Sequence, residues 1–182
     1  VTKDTAQNSD SYLAQGGICV LRDTDDYSAF YEDTMRAGHY ENNPESVDIM
    51  IKSSRDVISD LVDFGVRFRK NGDDFVYTRE GAHSKPRILF HEDETGKEIT
   101  SHLLAEVRKR ENISLTENFT MVDLICENNM CCGIIGQKSD GEYQPVFADY
   151  TVLACGGIGG IFENSTNFRH LTGDAIALAI KH

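Results

Sequence analysis

The chain lacks most of the features that would assign it at a glance. No apolar run approaches the roughly 20 residues of a membrane-crossing helix, and no basic-then-apolar start marks a secretory signal. Positive charge is scarce: 18 Lys and Arg stand against 30 Asp and Glu, a formal net charge of −12 over 182 residues. Such a surface repels a phosphate backbone, so nucleic acid is excluded as an expected partner, and a membrane is not expected either. There is no CxxC pair. The five cysteines, Cys19, Cys126, Cys131, Cys132 and Cys155, are odd in number and match neither a disulfide framework nor a zinc site. Reduced, partly buried thiols of a cytoplasmic protein fit this usage, and no metal is expected. Internal repeats and low-complexity tracts are absent as well.

What is present is ordinary globular material: 40% apolar and 26% charged residues, at a length of about one domain. Residues 26–36 read as a short helix closed by Gly38. Asn43 as N-cap and Pro44 at the first helical position open a second, with an apolar stripe of Val47, Met50, Ile51, Val57, Ile58, Leu61 and Phe64 ended by Gly65. Asn71-Gly72 predicts a hairpin turn. Residues 77–94 read as irregular and polar. Thr95 and Glu98 have capping-box spacing before a helix carrying Ile99, Leu103, Leu104 and Val107. Strands are expected over 113–115, 119–126, 130–137 and 142–154, with turns at 127–129 and 139–141. The apolar run 150–154 then meets a glycine turn, Gly156, Gly157, Gly159 and Gly160. Mixed α/β is the class this order predicts.

Four constellations carry chemistry. The glycine turn lets main-chain N–H groups approach a phosphate or cofactor, although its spacing is not GxGxxG and glycine clusters mark ordinary turns too. Gln15-Gly16-Gly17 suits a planar ring passing close to backbone, or a plain polar loop. Residues 78–87, with Arg79, Glu80, His83, Ser84, Lys85 and Arg87, concentrate acid, base and hydroxyl groups; a binding loop and a solvated loop of paired charges both fit. Thr172 can cap a helix whose positive end suits Asp174.

Taken together and in this order, these motifs resemble the L-aspartate oxidases, within the larger group that holds the succinate dehydrogenase and fumarate reductase flavoproteins. The resemblance runs from residues 14–18 to residues 173–177. Its most specific stretch is Thr78-Arg79-Glu80-Gly81-Ala82-His83-Ser84, with residues 87–89 and 93–96; residues 122–125 and 154–157 add to it. The resemblance implies part of a Rossmann-like FAD-binding domain with an antiparallel hairpin or meander element, residues 1–182 being one partial domain. The N-terminal βαβ unit is expected before Val1, and the capping domain with its proton-donating arginine after His182. An apolar helical run that ends without a C-cap at His182 prompts the same expectation of an internal piece.

The implied cofactor is non-covalent FAD. The implied reaction is oxidation of L-aspartate to iminoaspartate in quinolinate and NAD biosynthesis, with the flavin reoxidised by O2 or fumarate and quinolinate synthase as a downstream partner. Asp10, Ser11, Tyr12, Leu13, Ala14, Gln15, Gly16 and Gly17 would lie along the FAD, Met121 and Val122 near its adenosine end, and Ala154, Cys155, Gly156, Gly157 and Asp174 would complete this share of the site. Glu80 would receive the substrate ammonium group, with His83 and Ser84 supporting its loop. A fumarate reductase or succinate dehydrogenase fragment and a stand-alone binding domain are the alternatives. Departures from the family's pattern are Ala82 for Gly, Cys155 for Thr, Phe168 for Pro and Ala175 for Gly. By this reading the isolated chain binds FAD weakly or not at all and is inactive alone.

Overall fold

A computed structural model describes residues 1–182, which form two compact units: Ser11–Lys109, and Val1–Asp10 with Arg110–His182. No helix is long and apolar enough to cross a membrane.

A short helix, α1 (Asp10–Leu13), precedes the two-residue strand β1 (Ile18–Cys19). A 3-10 turn at Thr24–Asp26 then feeds α2 (Tyr27–Ala37), capped by Gly38 as expected. In α3 (Pro44–Asp63) the Asn43 side chain accepts from Ser46 N at 3.0 Å, the N-cap bond that Asn before Pro predicts. The buried face of α3 is Val47, Ile51, Ser54, Ile58 and Leu61; Met50, Val57 and Phe64 of the expected stripe lie exposed. Phe30, Met35, Val47 and Ile51 form one core cluster, and Val20, Ile58, Leu61, Val66, Phe68 and Leu89 a second. Each such side chain contributes about 1.5–3 kcal/mol by leaving water. Strands β2 (Lys70–Asn71) and β3 (Asp74–Phe75) make the expected hairpin, one residue later than predicted: Asn71 pairs with Asp74, so Gly72 (φ +64°) and Asp73 form the turn.

Residues 77–94 are not irregular throughout. Strand β4 (Ile88–Leu89) pairs antiparallel with β1, Ile18 opposite Leu89 and Cys19 opposite Ile88, and Thr78 bridges to Ile88. The capping box before α4 (Thr95–Lys109) is also corrected. Thr95 Oγ1 accepts from His91 N at 2.9 Å, and Glu98 Oε1 accepts from Arg67 N at 2.9 Å, so both side chains bind neighbouring chain instead of capping each other.

The other unit is built on a three-stranded antiparallel meander, β5 (Phe119–Glu127), β6 (Met130–Lys138) and β7 (Tyr143–Phe147). Asn128 and Asn129, at φ +50° and +62°, make the two-residue turn between β5 and β6. Phe119, Leu124 and Ile134 form its core, with Met121, Val146 and Leu178 packed against them. The helix α5 (Asp174–Lys181) is tied to β5 by Lys181 and His182, both on the Asp123 carboxylate. The strand expected over 113–115 does not form, and the one expected over 142–154 ends at Phe147. Residues 113–115 pair with nothing, and 150–154 run outside any ladder, Tyr150 being 91% and Val152 87% exposed. Apolar composition favours a strand there, but a strand exists only with a hydrogen-bonded neighbour.

Candidate active site

The pairing of β1 with β4 decides the geometry. It fastens the chain just after Gly16-Gly17 to the chain just after the 79–87 loop, although 70 positions separate Ile18 from Ile88. Val20 N donates to Arg87 O at 2.9 Å, and Thr78 and Ile88 exchange backbone bonds of 2.9 and 3.1 Å that close the loop at its base. A side chain at position 16 would begin 3.3 Å from Glu80 Oε2, and one at position 17 would collide with Ile88 Cγ2 and Leu89 O at 2.3 Å. The two motifs therefore meet: glycine at 17 is what lets the strip lie against β4, whereas a side chain at 16 would ask only the Glu80 carboxylate to shift. Both are exposed at this point, so the strip offers bare backbone and Glu80 a solvated carboxylate. The same strip is fixed from behind by α4: Gly96 N donates to Ala14 O at 2.8 Å, and a Cβ on Gly96 would meet Ser11 O at 2.1 Å.

The Glu80 loop rests on an ion cluster that residue types alone do not single out. Arg87 is fully buried, with Asp26 2% and Asp33 4% exposed. Its Nε and Nη2 grip Asp26 at 3.1 and 2.8 Å, and Nη1 reaches Asp33 Oδ2 at 2.7 Å. The guanidinium lies 4.9 Å above the Phe30 ring. Ser84 donates to Asp33 Oδ2 twice, from N and from Oγ, each at 2.7 Å. Burial raises the Asp33 carboxyl, but the bonds from Ser84 and Arg87 outweigh it and hold it at about 2. Hydrogen bonding by Arg87 likewise lowers Asp26 against its burial.

His83 is positioned by the same arginine. Arg87 Nη1 stands 3.0 Å from His83 Nδ1, and a guanidinium can only donate, so Nδ1 accepts and the ring proton sits on Nε2. Burial, then the Arg87 charge, lower the His83 pKa, while Asp33, Glu80 and Asp26 pull the other way without prevailing. His83 is therefore neutral at pH 7 and presents an Nε2–H donor. Its N donates to Glu80 O at 3.3 Å, a turn whose third residue, Ala82, has φ +70°. Arg87 is named in the sequence as part of the charged loop, but its buried partners Asp26 and Asp33 are not among the expected site residues. The signal was available: Asp26 and Asp33 lie seven positions apart, two helical turns, on the face that carries buried Phe30.

In the unit containing the meander, Asp10 accepts from Phe168 N at 3.1 Å and from the Asn167 amide. Met121 packs against the core, and Val122 is the extra residue of a bulge between Met121 and Asp123. Ala154, Cys155, Gly156 and Gly157 are exposed; Gly156 has φ +71°, and a Cβ on Gly157 would meet nothing within 4 Å. Gly173 at φ +72°, not Thr172, caps α5. Thr172 Oγ1 donates to Asp174 at 2.7 Å, and Lys3 Nζ pairs with Asp174 at 2.7 Å. Burial raises the Asp174 carboxyl, yet the Lys3 and Thr172 bonds keep it below the usual range. Within each unit taken by itself, the open glycine backbone, at Gly16 and Gly17 in one and at Gly157 beside the Asp174 carboxylate in the other, is surface that a planar, phosphate-bearing cofactor such as FAD can approach closely.

The chain is 43% identical over its full length to the L-aspartate oxidase of Clostridium perfringens and 47% identical to that of Clostridium acetobutylicum, and spans 41% and 42% of their lengths. Among solved structures it resembles Mycobacterium smegmatis Sdh1 in complex with UQ1, with a TM-score of 0.90 at 28% identity, covering all of this chain and 33% of that one. A quinol-fumarate reductase with menaquinol molecules shares the fold, with a TM-score of 0.93 at 21% identity over 99% of this chain and 32% of that one. The family model described as the FAD binding domain matches residues 1–182, and the chain belongs to that family.

Proposed function

We propose that this chain is the part of an FAD-dependent L-aspartate oxidase that lines the flavin and reads the amine of the substrate. One observation carries the reading: Gly16, in the strip assigned to the flavin, lies against the Glu80 carboxylate. When bound, FAD supplies the acceptor for the hydride leaving the substrate carbon, giving iminoaspartate; O2 or fumarate then takes the electrons. The rest falls to the chain's own residues. Glu80 places negative charge where an amino diacid carries its ammonium group, a charge-assisted contact that succinate, without an amine, does not use. Ser84 and Arg87, bound to Asp33 and Asp26, fix the loop that carries Glu80. His83, neutral, adds a donor beside it. Toward the flavin, Ser11, Tyr12, Leu13, Ala14, Gln15, Gly16 and Gly17 supply mainly backbone and small side chains; taken by itself, the unit with the meander carries the other residues assigned to the cofactor, Asp10, Met121, Val122, Ala154, Cys155, Gly156, Gly157 and Asp174.

The succinate-type reading draws on the likeness to Sdh1 and differs in what Glu80 faces. The test compares the full-length protein on aspartate and succinate, with Glu80→Gln beside it. Oxidation of aspartate, with its KM raised at least tenfold in Glu80→Gln (about 1.4 kcal/mol or more of binding), is expected. Turnover of succinate alone rejects the aspartate reading.

A further inference from the structure

The hairpin tip of the meander carries a thiol pair that the flavin chemistry does not use. Cys126 on β5 and Cys131 on β6 are register partners, one step in from Glu127 and Met130, the pair that closes the Asn128-Asn129 turn. In a two-residue hairpin the closing pair exchanges both hydrogen bonds, so the next pair is the non-hydrogen-bonded kind, with Cα atoms about 4.5 Å apart and side chains on the same face. A disulfide spans Cα separations of about 4.4–6.8 Å, so no backbone movement is needed to link them. Both are free and exposed, and Cys131 opens into a groove of about 650 Å³ that also exposes Cys132, Phe147 and Asp149.

We propose that Cys126 and Cys131 are an oxidation site: on meeting peroxide they close to a reversible cross-strand disulfide at the tip of the β5–β6 hairpin. The two sulfurs have different parts. The Gly133 backbone holds the Cys131 thiol below its usual value, whereas partial desolvation and then the neighbouring sulfurs push Cys126 up. Cys131, the member of the pair that lines the groove, is therefore the sulfur that peroxide reaches and the one that attacks as thiolate. Its sulfur bonds to one peroxide oxygen as the O–O bond breaks, and the departing hydroxide leaves as water after taking a proton. The sulfenic acid so formed is attacked by Cys126 sulfur; the S–S bond forms, the S–O bond breaks, and a second water carries off the thiol proton. Two thiols lose two electrons and peroxide gains them. An exposed bridge of this kind is reducible, which makes the step reversible. Nothing in it depends on aspartate being the substrate.

The test treats the 182-residue chain with hydrogen peroxide, blocks remaining thiols with N-ethylmaleimide and cuts after Glu127 with a glutamyl endoprotease. Mass analysis is then run with and without dithiothreitol. The peptides ending at Glu127 and starting at Asn128 should travel as one species, two hydrogens lighter than their sum, and separate on reduction. Alkylatable thiols should fall from five to three. Cys132→Ser should keep the link, Cys131→Ser should abolish it, and Cys126→Ser should leave Cys131 as a sulfenic acid that dimedone traps. Full alkylation of Cys126 and Cys131 after peroxide overturns the proposal. So does a link that survives Cys131→Ser, or one that joins two chains.

Discussion

Ala82 occupies a conformation that suits another residue. At φ +70° its methyl group meets the neighbouring carbonyl, a cost of about 1–2 kcal/mol for an L residue. Glycine removes that cost and loses about 0.4–1 kcal/mol through its freer unfolded chain. Ala82→Gly is therefore expected to stabilise the chain by about 0.5–1 kcal/mol, seen as a higher urea midpoint at unchanged slope. A lower midpoint would show that the turn between Glu80 and His83 is not the one described. Asp33 makes a prediction of opposite flavour. Its carboxyl, held at about 2, lies below the ordinary value of about 4. A depressed carboxylate contributes stability that is complete above its unfolded pKa and is lost as pH falls through the folded one. Melting temperature should accordingly drop as pH falls from about 4 towards about 2, and less steeply in Asp33→Asn. Equal slopes in the two proteins would remove Asp33 from the acid response.

Among elements, the most consequential are the shortest. Strands β1 and β4 have two residues each, too few for an alternating pattern, and neither could be read from residue order. The long helix α3 was legible because Asn43, Pro44 and a 3.6-residue apolar spacing all point the same way. The Asn128-Asn129 turn was legible through its own conformational preference. The capping box misled because Thr95 and Glu98 have tertiary partners that spacing does not reveal. The loop between Thr78 and Ile88 depends on Arg87, buried among carboxylates drawn from before and within α2. Arg87→Met is expected to cost about 3–5 kcal/mol, because it strands Asp26 and Asp33 without a counter-charge. Adding Asp26→Asn and Asp33→Asn to that variant should return a large part of the loss in a denaturant titration; no recovery would mean that packing, not charge, is what Arg87 supplies.

For the whole molecule, the resemblance carried what composition could not. Length and charge allow almost any acidic α/β domain, whereas Thr78 to Ser84 in that order points to one family. Mixed α/β followed from the order of elements, and the FAD-binding domain type and the cofactor from the resemblance; the meeting of Gly16 with Glu80 required the structure. Residues 150–154 show the converse, a stretch apolar enough to read as a strand that has no ladder to join. The sequence contains no GxGxxG loop to grip a pyrophosphate. The 182-residue chain should therefore bind FAD weakly, with little quenching of flavin fluorescence at stoichiometric concentration. Tight one-to-one quenching would contradict this.

The joining of β1 to β4 also sets a clock. Very few amides, those of Val20, Thr78 and Ile88 among them, hold the glycine strip and the Glu80 loop in register. Each time those bonds part, the amides become open to solvent deuterium. Where intrinsic exchange outpaces reclosing, their rates measure how long the amine-reading arrangement persists between openings; where reclosing is faster, they give the assembled fraction, which sets how often an arriving substrate finds it ready.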